Sequence, residues 1–148
     1  RRMATDLSFP GEIRGVPIVR EADGLALSSR NIFLSAEERA SALALSRGLL
    51  AAGDLAEAGE RGGGGLVAAV IAEIERSPDL SVEYVTLAGQ DRVQPLDTLD
   101  RPAFLALAAW SGDTRLIDNV HLDEVDGKFV ADRGSRLDKE SVLYRGGG

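Results

Sequence analysis

The sequence predicts an α+β fold, a small three-stranded antiparallel sheet with helices on one side. Three observations predict it. Residues 82–87, 103–110 and 114–122 read as strands, and Ser111-Gly112-Asp113 joins the last two as a hairpin. Residues 35–52 and 66–76 carry apolar residues at helical spacing. The two helices come as a run before the strands instead of alternating with them, which is the α+β order.

Taken in order, residues 1–7, RRMATDL, read as the last turns of a helix, stopped ahead of Pro10. Residues 12–19, EIRGVPIV, read as a strand, and Pro17 puts it at a sheet edge or at its own end. A helix and a strand ahead of a polar loop is how an α/β nucleotide-binding unit finishes. That loop is residues 20–34, READGLALSSRNIFL. Ser28, Ser29 and Arg30 are consecutive, and two hydroxyls beside a permanently charged, forked guanidinium can close around a polyphosphate. Gly24, next to Asp23, supplies a turn. The same residue types also collect in ordinary surface loops, so residue type alone leaves both readings open.

Ser35 and Glu38 form a capping box, with acidic residues in the first helical turn. The helix is expected to run to about Ala52 and stop at Gly53, with Leu43, Leu45, Leu49 and Leu50 as its core stripe. Residues 61–65, RGGGG, join helix to helix and lack the Lys-Ser/Thr of a phosphate-binding loop, so they read as a flexible connection. The second helix presents Val67, Val70, Ile71 and Ile74, and Ser77-Pro78-Asp79 closes it. In the first sheet strand, Val82, Tyr84 and Thr86 are expected on one face, Val85 and Leu87 on the other. Residues 103–110, AFLALAAW, suit helix or strand by length, and the hairpin turn that follows decides for strand. In residues 114–122, TRLIDNVHL, Arg115 and Asp118 are expected to fix the hairpin or pair with each other. His121 is expected as a partly exposed strand-end residue. Glu83 and Tyr84 read as strand surface. From residue 123 the chain turns charged and reads as a mobile tail to residue 148, with a short hairpin at Asp126-Gly127 as an option.

Composition narrows the function. With 44% apolar residues the chain can build a core. The absence of cysteine removes disulfides, thiolate nucleophiles and Cys-based metal sites, and a single histidine, His121, removes any multi-His metal site. A net charge of −7 argues against a nucleic-acid surface. No apolar run is long enough for a membrane span and no signal peptide is visible, so a cytoplasmic protein is expected.

Three stretches, READGLALSSRN at 20–31, VEYVTL at 82–87 and DTRLIDN at 113–119, carry a closer likeness. Together and in this order they resemble the pantothenate synthetase (pantoate–beta-alanine ligase) family over roughly residues 1–122. The resemblance implies an ATP- and Mg2+-dependent ligation in which pantoate is adenylated and β-alanine then displaces AMP. It also implies a Rossmann-like nucleotidyltransferase domain, of which residues 1–19 would be the final helix and strand, and a lid domain at 20–122. By motif position, Leu27, Ser28, Ser29 and Arg30 correspond to the family's phosphate-contacting loop. Leu27 stands where the family usually has Met, and Val19 where the backbone meets adenine at the hinge. Arg30 would be the catalytic residue, aimed at charge that builds on the phosphates. The family's paired-histidine motif and pantoate pocket belong upstream of residue 1. The chain is therefore expected to be the C-terminal part of such a ligase, inactive alone, with the N-terminal domain as partner and a homodimer as a possible assembly. The alternative reading is a non-catalytic interaction or oligomerisation module that uses residues 103–110 as its contact.

Overall fold

The computed structural model describes residues 2–139. Helix α1 (Arg2–Asp6) ends where Ser8 takes a positive φ of 50°, ahead of Pro10. The expected strand at 12–19 is reduced to β1 (Val19–Arg20). Pro17 has no amide proton to give a ladder, and β1 finds its partner far away, in β6 (Ser135–Arg136), parallel to it.

The core is built by α2 (Ala36–Glu57), α3 (Gly63–Ile74) and an antiparallel sheet of β2 (Leu80–Gly89), β3 (Ala103–Ser111), β4 (Thr114–Val125) and β5 (Lys128–Asp132), in the order β2-β3-β4-β5. The sheet has four strands where three were expected. The tail expected from residue 123 instead finishes β4, turns at Asp126-Gly127 and returns as β5, with Val125 opposite Lys128. Both turn residues have positive φ, 51° and 74°, the two-residue geometry that matches strand twist. Phe129 and Ala131 on β5 are buried against the core. Residues 140–148, the remainder of the expected tail, lie outside the described residues.

Both capping-box hydrogen bonds are present, Glu38 N–H to Ser35 Oγ at 3.1 Å and Ser35 N–H to Glu38 Oε2 at 2.8 Å. The sequence of α2 is rich in Ala, Leu, Glu and Arg, all good helix formers, and the helix passes through Gly53 to stop at Gly59, whose φ is 110°. Gly53 serves contact: a Cβ there would lie 2.9 Å from that of Ala131 on β5. Ala42, Leu45, Leu49, Ala52 and Ala56 form the buried stripe. Each fully buried leucine side chain contributes about 1.5–3 kcal/mol.

The glycine run is packed where a flexible connector was expected. Gly63 opens α3, donates to Asp97 O at 2.8 Å, and has Leu96 O where its Cβ would be, at 2.5 Å. Only glycine lets the two backbones come so close. The face assignment in β2 also changes. The register shifts between Val82 and Tyr84, so Val82 joins Val85 and Leu87 against the core and Tyr84 is exposed. One extra residue at Glu83 reverses the alternation on either side of it.

Along β3, Ala103, Leu105, Leu107 and Ala109 point into the core. Of the 103–110 run only Trp110 is exposed among large apolar side chains. The helices cover one face of the sheet, and Tyr84, Trp110 and Ile117 are exposed on the other.

Candidate functional site

The loop at 19–34 is built as two linked turns. Arg20 bridges Ala26, Leu27 N–H donates to Val19 O at 2.9 Å, and Glu21 N–H donates to Leu25 O at 2.7 Å. Gly24, with φ at 102°, makes the reversal, and Asp23 Oδ1 accepts from Leu25 N–H at 3.1 Å. The chain then enters a short 3₁₀ helix, Ser29–Phe33, capped by Ser28 Oγ accepting from Arg30 N–H at 3.2 Å.

Four polar side chains of this stretch hold it in place. Arg20 crosses to Asp118 of β4, its Nη1 donating to Oδ2 at 2.7 Å and Nη2 to Oδ1 at 3.2 Å, with both side chains almost fully buried. Burial raises the Asp118 carboxyl above its usual range, although Arg20 pulls the other way. Buried Asn31 donates to Glu21 Oε1 at 2.7 Å and to Ala26 O at 2.9 Å. Arg39 of α2 then ties Glu21 and Asp23 together, at 2.8 Å and 2.9 Å.

Arg115 and Asp118 do not pair with each other. Three residues apart in one strand, they point to opposite faces. Arg115 instead donates to Glu83 Oε2 at 2.7 Å and Oε1 at 2.9 Å, and Trp110 Nε1 donates to the same carboxylate at 3.0 Å. The arginine holds the Glu83 carboxyl below its ordinary range. His121 lies within β4, not at its end, with its ring 5.8 Å from that of Phe104.

Of the residues read as nucleotide-contacting, Ser29 and Arg30 are exposed, Leu27 and Ser28 are half-buried, and Val19 is exposed. Arg30 makes no ion pair among the described residues, whereas Arg20, Arg39 and Arg115 are all engaged. It stands at a groove of about 620 Å³, with Phe33, Trp110, Thr114 and Arg115 as neighbours and Glu38 and Asp113 as the acidic lining. Ser28 and Asn31 line a second, much smaller cavity beside Asp118, so the groove brings Arg30 to the β3–β4 hairpin but not the whole set. Among the described residues no cluster of three or more His, Cys, Asp or Glu side chains converges on a metal position, and no helix is long and apolar enough to cross a membrane.

Residues 1–121 match the family described as Pantoate-beta-alanine ligase. That is most of the chain. The chain belongs to the pantoate–beta-alanine ligase family. It is 48% identical over 126 residues to the pantothenate synthetase of Moorella thermoacetica, covering 85% of this chain and 44% of that protein. It is also 48% identical over 124 residues to that of Thermobifida fusca, covering 82% and 42%. Its fold is similar to the crystal structure of pantothenate synthetase from Thermus thermophilus, with a TM-score of 0.74 at 39% identity, over 80% of this chain and 43% of that one. The chain thus spans less than half the length of these ligase-family relatives.

Reading the sequence missed both the Arg20–Asp118 pair and the Glu21–Asn31–Arg39 network. One signal was present. Asp118 shares the phase of Leu116, Val120 and Leu122, and a charge in the apolar phase of a strand requires a partner.

Proposed function

We propose that this chain is the C-terminal part of an ATP-dependent ligase that condenses pantoate with β-alanine through a pantoyl-adenylate, giving pantothenate, AMP and pyrophosphate. In this reading residues 20–122 form the lid, and residues 1–19 end a Rossmann-like nucleotide domain supplied by the rest of a longer protein. Family membership supports the reaction. The observation that carries the local role is the Arg30 guanidinium, exposed and without a carboxylate partner among the described residues, beside Ser28 and Ser29. A guanidinium already paired would have to give up its partner before meeting phosphate. Arg30 does not.

Adenylyl transfer builds charge on the α-phosphate and on the departing pyrophosphate, and positioned donors stabilise it without covalent work. Arg30, Ser28 and Ser29 supply those donors, and Leu27 and the Val19 backbone border the nucleotide. ATP supplies the phosphorus to which the pantoate carboxylate is joined, and Mg2+ arrives on its phosphates. Alone, the chain binds weakly and does not ligate, since the pantoate pocket belongs to the other domain.

The test is thermal unfolding with and without ATP·Mg2+. A ligand that binds only the folded state raises Tm, so the chain should gain stability that Arg30→Ala removes. In a chain extended to the relatives' length, Arg30→Ala should lower kcat by ~10²-fold. Near-normal turnover would sink the assignment. The exposed Tyr84, Trp110 and Ile117 support a second reading, an interaction or oligomerisation surface. Sedimentation that depends on concentration, with no ATP effect, would favour it.

A further inference from the structure

The match to the family ends at residue 121, yet the chain beyond it returns to the hinge. Ser135 N–H donates to Ile18 O at 2.8 Å and Leu137 N–H to Arg20 O at 2.8 Å, on either side of Val19. The Arg136 guanidinium closes on Ala22 O, with Nε at 2.7 Å and Nη2 also in contact. Arg133 O accepts from Arg20 Nε at 3.0 Å. The Arg133 side chain is itself anchored on the last turn of α2, 2.6 Å from Asp54 and 2.8 Å from Glu57. Gly134, with φ at 78°, lies so close to Ile18 O that no side chain fits there.

We propose that residues 133–137 are a positioning strap for the hinge, one that holds the Val19 backbone in the place where nucleotide is met. The proposal rests on the ATP reading above and adds residues that reading does not use. The physical reason is that β1 is only two residues long. Its inner side is held by the Arg20–Asp118 pair and by Leu27 N–H, while the carbonyls of Ile18, Arg20 and Ala22 find donors in the strap. A peptide segment with three carbonyls released to water samples more orientations, and a nucleotide must then fix it on binding. The strap does that fixing in advance. It is anchored to α2 and so ties the hinge to the lid's own core.

Hydrogen exchange on the whole chain, together with the ATP-induced rise in Tm, tests this. Ser135→Pro deletes one donor and Arg136→Ala deletes the fork. Each should speed amide exchange across residues 18–22 by about tenfold or more and shrink the ATP-induced rise, with exchange in residues 42–56 of α2 unchanged. Arg136→Lys, which keeps a donor, should restore part of both effects. Unchanged exchange at 18–22 in both variants overturns the strap. Faster exchange with an undiminished ATP effect also overturns it, because the segment would then be structural only. If ATP does not shift the unmodified chain, the ATP reading falls and with it the positioning role, while the exchange data still report whether the segment restrains the hinge.

Discussion

Replacing Asp118 by asparagine tests whether the site loop is held by a desolvated ion pair. The two side chains are 3% and 2% exposed, for Arg20 and Asp118 respectively. The guanidinium donates to both carboxylate oxygens, and Asn119 N–H adds a third hydrogen bond at 2.7 Å. Asparagine keeps the shape, removes the charge and turns one acceptor into a donor facing N–H groups. Arg20 is then left charged and poorly paired inside the fold. Breaking a buried pair from one side costs about 3–5 kcal/mol, whereas an exposed pair contributes roughly 0.2–1 kcal/mol. Arg20 keeps carbonyl partners at Gly24, Asn119 and Arg133, which sets the expected loss near the lower end, about 3 kcal/mol. For a chain of this size that lowers Tm by roughly 10 °C. Urea unfolding followed by circular dichroism should give a lower midpoint at an unchanged slope. The double exchange Arg20→Met with Asp118→Leu removes both charges together and should recover most of the loss. A loss below about 1 kcal/mol for Asp118→Asn would refute the reasoning, since a solvent-screened pair behaves that way.

Two neighbouring glycines should respond with opposite signs. Gly63→Ala drives a Cβ into Leu96 O and should destabilise by about 1–3 kcal/mol, while Gly64→Ala, in the same helix with open space around it, should stabilise by up to about 1 kcal/mol; equal effects in urea would contradict the packing described. The Arg133 guanidinium, helped by Ala131 N–H, holds the Glu57 carboxyl down to about 2 from an ordinary 4.5. Its folded-state pKa is depressed, so its contribution is complete above pH 4.5 and is lost as pH falls toward 2. The unfolding midpoint should therefore drop less steeply across that window in Glu57→Gln than in the unmodified chain, and parallel profiles would exclude the pair as an acid-sensitive contact.

Legible in the sequence was whatever depends on residue type in local order. Ser28-Ser29-Arg30 and the Ser35–Glu38 box are local, and the structure leaves the arginine exposed and closes both cap bonds. Less legible was anything that depends on what lies across space. Whether a glycine bends a chain, ends a helix or admits a neighbouring backbone cannot be read from the glycine, and Gly53 and Gly63 turned out to be contacts. The bulge at Glu83 likewise moved Val82 to the core side, because register depends on the partner strand.

Local sequence by itself determined the helices, the β3–β4 hairpin, the α+β order and, through three short motifs, the family. Periodicity, caps and turn residues act within a few positions, so one chain is enough to read them. Only the tertiary structure decided that Arg20 meets Asp118, that Glu21, Asn31 and Arg39 form one network, and that residues 128–137 add a fourth strand and return to pair with β1. The longest of those pairings join positions about a hundred residues apart, and a charge or a two-residue strand does not specify its distant partner. Burial makes the choice, since a guanidinium and a carboxylate removed from water must find each other.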